Sequence, residues 1–111
     1  MLEYLIAAHC LGDGPLQNHW MQGKTTSTVI CLAHIAAYSV PFWGLCAAGV
    51  VPLWAVMAVL MQHYLQDRYQ LHRRWMTLCR QTPPEQWPVG PIYMDQCWHI
   101  AFMGLVALVA R

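Results

Sequence analysis

Three histidine–aspartate pairs recur at one spacing. His9/Asp13, His63/Asp67 and Asp95/His99 are each four positions apart, so in a helix the two side chains of each pair share a face. A seventh residue of the same kind, His34, stands alone in an apolar run. Neutral imidazole and carboxylate are the ligands of Zn, Mn and Fe, and a four-residue helical spacing lets two side chains reach one ion. His9, Asp13, His34, His63, Asp67, Asp95 and His99 are therefore candidate ligands of a divalent metal, with zinc expected first and Mn or Fe as alternatives. Seven candidates exceed what one tetrahedral zinc needs. Either some orient the true ligands, or two ions sit about 3.5–4 Å apart; the spacing leaves both open. In either case Asp13, Asp67 and Asp95 are the candidate catalytic carboxylates, because one not bound to metal can act as a general base.

Each pair also has an ordinary explanation. Asp13 precedes Gly14-Pro15 and suits a helix end. Asp67 suits an interface, and Asp95 an early helical turn, where the dipole favours a carboxylate. A single intramembrane His such as His34 can hydrogen-bond across helices. What these explanations leave unaccounted for is three pairs at one depth, as the placement of the helices shows.

The chain has 111 residues, of which 58% are hydrophobic and only 10% charged, with a formal net charge of +1. An average soluble domain is about 25% charged. So few charges cover a small soluble surface poorly, and with no basic excess nucleic acid is not an expected partner. Residues 25–66 contain no Asp, Glu, Lys or Arg, a run long enough for two spans joined by a turn. Pro41, Gly44, Gly49 and Pro52 lie in its middle, and Pro41 is expected to kink the first of these spans. The fold class expected is all-α: an integral membrane four-helix bundle in a single domain, 1–111. Its spans are placed at about 1–16, 27–46, 51–70 and 92–110. The third helix meets no Gly or Pro after Pro52 and is expected to continue to about residue 81, past the bilayer.

Lys24, Arg68, Arg73, Arg74 and Arg80 flank one end of these helices, whereas Arg111 and the amino terminus flank the other. The positive-inside rule makes the basic end cytoplasmic and puts both termini on the same, non-cytoplasmic side. The opening stretch carries Glu3 and no basic residue before Lys24, unlike a secretory signal. In this topology His9/Asp13 and His63/Asp67 fall late in helices one and three, and His34 and Asp95/His99 fall early in two and four. All seven then lie in the half of the bilayer nearest the basic face, an arrangement from which helical bundles build metal sites. Gln17 extends the His9/Asp13 face and Gln96 follows Asp95, so both are candidates to orient a ligand or substrate. Arg68 and Arg73 are candidates to hold a phosphate, though positive flanks are expected as anchors in any case. His19 and His72 are expected to be solvated, and the five cysteines to be free thiols, with no C-x-x-C among them.

The segments AHCLGDGPLQNHWM, LAHIAAY, QHYLQDRYQLH and MDQCWHI resemble, in that order, the motifs of domain-of-unknown-function family thirty-three-zero-seven, small bacterial and phage membrane proteins. His9, Asp13, Gln17, His34, His63, Asp67, Asp95, Gln96 and His99 match residue by residue. Gly14-Pro15 departs from the family, which has a bulky apolar residue there. The resemblance implies a multi-pass protein of the inner membrane and supplies no activity.

Three functions fit the residues. The first is a metal-dependent hydrolase acting at headgroup depth on a lipid or lipid-linked ester or phosphoester. The second is a metal-ion or proton transporter, working as a homodimer because four spans are few for a carrier. The third is a non-enzymatic membrane interaction protein whose His/Asp cluster ties the helices together. No G-x-S-x-G motif or Gly-rich phosphate loop is present to suggest serine-hydrolase or nucleotide chemistry.

Overall fold

The computed structural model describes residues 1–110, so Arg111 lies outside the described residues. The described chain is helical, with α1 at Leu2–Asp13, α2 at Thr28–Ala47, α3 at Leu53–Tyr69, α4 at Leu71–Leu78 and α5 at Gly90–Val109. A 3-10 segment, Trp20–Thr25, lies in the connector between α1 and α2.

Local chemistry accounts for the boundaries. The first helix stops at Gly14, followed by Pro15, which cannot continue it. At the start of α2 the Ser27 hydroxyl accepts a hydrogen bond from the Ile30 amide at 3.3 Å, satisfying one free donor of the first turn. This helix runs through Pro41. Gly49, at φ +72°, makes the turn that follows, a conformation that costs glycine little. Pro91 falls in the first turn of α5, where its missing N–H costs nothing.

The third helix does not continue to residue 81. It ends at Tyr69, and Gln70 adopts φ 49°, ψ 51°. A left-handed residue ends a helix with or without glycine, and here it redirects the chain into α4. That short helix turns back against α5, with Trp75 edge-on to Trp98 at 5.6 Å.

Four helices close a ring, α1 on α2, α2 on α3, α3 on α5 and α5 on α1. The interior is layered at four-residue intervals. From the basic end inward, α1 presents Asp13, His9 and Leu5, and α3 presents Asp67, His63 and Val59. Likewise α5 presents Asp95, His99 and Met103, and α2 contributes His34, Tyr38 and Phe42. Leu5, Phe42, Val59 and Met103 belong to one buried apolar cluster with Val51, Ala55, Val56 and Val106. The polar layers lie at one end of the ring and the apolar layer at the other. Large apolar side chains face outward on the ring helices: Val29, Met61, Ile92 and Val109 are each more than 60% exposed.

By length and composition, α2 and α5 are long and apolar enough to cross a membrane. The other two ring helices are not. At 1.5 Å per residue, the 12 residues of α1 reach about 18 Å and the 17 of α3 about 26 Å, against a hydrocarbon core of about 30 Å. The third also carries Asp67 and Arg68 in its last turn.

Candidate metal centre

At the polar end of the ring, Asp13, His34, His63 and Asp67 converge. His34 Nε2 lies 3.2 Å from Asp13 Oδ1 and 3.2 Å from Asp67 Oδ2. His63 Nε2 lies 3.3 Å and 3.1 Å from the same two oxygens. The two Nε2 atoms are 3.1 Å apart. A tetrahedron of ligands about 2.0 Å from a central zinc has edges of about 3.3 Å. Five of the six edges of this donor set are therefore within about 0.2 Å of that ideal. Both histidines are fully buried and Asp67 nearly so. Asp13 Oδ1 and Asp67 Oδ2 are buried without a well-directed hydrogen bond, and so are the outer nitrogens, Nδ1, of His34 and His63.

Lys24 caps this group. Its ammonium lies 2.6 Å from Asp67 Oδ2, 3.7 Å from Asp13 Oδ1 and 2.9 Å from Gln17 Oε1. Burial works against the charge on Lys24, but the carboxylates of Asp67 and Asp13 outweigh it and hold the lysine above its ordinary pKa. With Asp95 beside them, three carboxylates face one ammonium. The two remaining negative charges are what one divalent ion would balance.

His9 does not join the converging donors, although its spacing suggests that it would. Gln96 turns its amide Nε2 toward two carboxylates, 3.2 Å from Asp13 Oδ2 and 3.4 Å from Asp95 Oδ2. Carboxylates only accept, so this fixes the amide orientation. Gln96 Oε1 must then accept from His9 Nε2–H, 2.8 Å away. His9 Nδ1 is left as an acceptor and receives the Tyr38 hydroxyl at 3.0 Å. Both ring nitrogens are occupied, and His9 acts by holding Gln96, which in turn holds Asp13.

Asp95 and His99 form a second group beside the first, within reach of Asp13. His99 Nε2 lies 3.4 Å from Asp67 Oδ1 and 3.5 Å from Asp95 Oδ1. His72 is not solvated as expected. It is buried, with Nδ1 3.1 Å from Asp95 Oδ1, because the break at Gln70 folds α4 onto α5. His19 is exposed.

The two candidate arginines do not meet the cluster. Arg68 donates to Thr28 Oγ1 at 3.2 Å and to the Thr25 carbonyl at 3.0 Å, fastening the end of α3 to the start of α2. Arg73 is exposed and lines an open pocket of about 360 Å³ with Arg80 and Pro83, away from the His/Asp group.

Lys24, Gln62 and Gln66 carry parts of the site that residue spacing does not single out. Lys24 reads as a basic flank, and neutral amides give no signal of their own. The ring of His63 is stacked between Tyr38 at 3.7 Å and His99 at 4.1 Å, so the aromatic one turn beyond His34 shapes the site as well.

No family model, curated protein or solved structure matches this chain.

Proposed function

We propose that this chain is a multi-pass membrane protein that holds a divalent metal in its His/Asp centre and uses it to hydrolyse a lipid or lipid-linked ester or phosphoester. The observation that carries the reading is the set of four buried donor atoms, His34 Nε2, His63 Nε2, Asp13 Oδ1 and Asp67 Oδ2. They are spaced 3.1–3.3 Å apart in every cross-helix and within-helix pair that joins a histidine to another donor.

Membrane residence is supported by the inverted distribution of polarity. Only 28% of the apolar window of α2 and 17% of that of α5 is buried. A core helix of a soluble domain would be mostly buried, whereas these helices present Val, Leu and Ile outward and histidine inward. On this reading α3 falls about 4 Å and α1 about 12 Å short of the hydrocarbon core, so the bilayer would have to thin locally, most of all around α1. The cluster then lies near the basic end, where Lys24 and the α4 arginines face the cytoplasmic headgroups.

An ion in this centre would supply Lewis acidity, and a water would reach it when one of the four side chains gave up its place or the ion took a fifth ligand. The chain's own residues supply the rest. Asp95, with His72 Nδ1 3.1 Å from its Oδ1, stands beside the centre. Lys24 and Gln17, on the connector, face the centre from the headgroup side and would hold an anionic or carbonyl oxygen of the substrate. The test is turnover of ester and phosphodiester lipid reporters in mixed micelles. Activity is expected to disappear on chelation, return with Zn²⁺ or Mn²⁺, and be lost in His63→Ala, which removes a donor of the centre. Metal-loaded protein that hydrolyses neither class of reporter would contradict the reading.

One observation favours a second reading. Four protein side chains complete the tetrahedron, whereas catalytic zinc keeps a position open. A closed site of this kind suits an ion in transit, held by a homodimer of this chain. Zinc flux into proteoliposomes, lost in His63→Ala, would support transport; sealed vesicles that stay inert would count against it.

A further inference from the structure

The second group, on the α5 side, has a feature that the first centre does not explain. A chain of oriented amides fixes the tautomer of His99. Gln66 Nε2 donates to the Asp95 carbonyl and to Asp95 Oδ1, both at 2.9 Å. Gln66 Oε1 therefore points away and accepts from Gln62 Nε2. Gln62 Oε1 is left to accept from His99 Nδ1–H at 3.2 Å. In neutral His99 the other nitrogen, Nε2, is then a bare lone pair. It is buried, has no hydrogen-bond partner, and belongs to a residue 1% exposed. Yet it faces two further acceptors, Asp67 Oδ1 at 3.4 Å and Asp95 Oδ1 at 3.5 Å. Acceptors that converge in a buried space need a proton or a cation between them; of these three, Asp95 Oδ1 is already served by Gln66 and lies 3.1 Å from His72 Nδ1. The two spacings also match the edges of a tetrahedron whose ligands lie about 2.1 Å from a metal.

We infer that the cluster takes a second divalent ion, held by His99 Nε2, Asp95 and the outer oxygen of Asp67. This rests on the reading of the first centre. Asp67 then bridges, Oδ2 serving the first ion and Oδ1 the second, as carboxylates do in two-metal sites with ions about 3.5–4 Å apart. Asp13 also lies within reach of this group. The charge balance changes with the second ion. One divalent ion neutralises the three carboxylates and Lys24; two leave the centre with two excess positive charges. The doubly loaded site therefore attracts an anion, which favours a phosphoester over a neutral ester as substrate.

The alternative occupant of the second position is a proton, carried by a His99 that donates to both carboxylates. Metal counting separates the two. Full-length protein in detergent is stripped with chelator and titrated with Mn²⁺, read by bound-ion stoichiometry and by electron paramagnetic resonance. The expected result is two ions per chain, with the spectrum of the first ion altered by spin coupling as the second loads. His99→Gln and Asp95→Asn, checked for helicity, are each expected to hold one ion and show no coupling. One ion in the wild type, lost in His34→Gln, overturns this inference and leaves the first centre standing. Two ions retained in both variants overturns the assignment of His99 and Asp95. No bound ion in the wild type overturns both readings.

Discussion

Replacing Lys24 by Met tests whether the buried carboxylates are charged and whether the ammonium stands where an ion would go. The lysine side chain is 13% exposed and Asp67 is 2% exposed, with 2.6 Å between Nζ and Oδ2. At an effective dielectric constant of about 20, this pair alone attracts by roughly 6 kcal/mol. Deleting the lysine also removes the cost of burying its ammonium, so the net loss is smaller. About 3–5 kcal/mol is typical when one member of a buried pair is removed. Lys24→Met is therefore expected to destabilise metal-free protein by about 3–5 kcal/mol in reversible unfolding in mixed micelles. With divalent ion at about 1,000 times its dissociation constant, binding returns about 4 kcal/mol, and the loaded variant should approach the stability of metal-free wild type. Because the ammonium competes with the ion for Asp67 Oδ2, the variant should also bind metal more tightly. Metal-free stability within about 0.5 kcal/mol of wild type, together with unchanged or weaker metal affinity, would refute this reasoning.

Other outcomes follow from single contacts. Tyr38→Phe removes the hydroxyl that donates to His9 Nδ1 at 3.0 Å and leaves a buried acceptor unpaired. It should cost about 1–3 kcal/mol in the same unfolding assay. Gln70→Gly relieves a left-handed residue at φ 49° and should raise stability by up to about 1 kcal/mol, while Gln70→Val should lower it. Arg68→Ala frees the Thr25 carbonyl and Thr28 hydroxyl. Hydrogen exchange in the connector should rise, with metal stoichiometry unchanged.

The relation between sequence and structure differs from residue to residue, and the differences have physical causes. Asp13, His63, Asp67, Asp95 and His99 were legible because a four-residue spacing puts each pair on one helix face, and because alternating helix directions put all of them at one end. His34 was legible only through its depth. That His9 stands apart from the converging donors was not legible, since its tautomer depends on Gln96 and Tyr38, which come from two other helices. Lys24 escaped notice because a basic residue at a membrane flank has a sufficient explanation in topology. The end of α3 was hidden for a different reason. Gln70 takes a left-handed conformation without being glycine, and Pro52 to Gln81 contains no breaker to announce it. That break folds α4 back, which is why His72 meets Asp95 instead of water. The apolar spans behave unevenly: α2 and α5 have the length to cross a bilayer, whereas α1 is cut short by Gly14-Pro15 and α3 by Gln70.

Elemental analysis of the purified, full-length protein, alongside His34→Ala and His63→Ala, bears most directly on the central claim. The account predicts at least one stoichiometric divalent ion per chain in the wild type, and one fewer in each variant while helicity is kept. Wild-type protein that is metal-free as purified, takes up no ion on titration, and unfolds identically with and without chelator would contradict it.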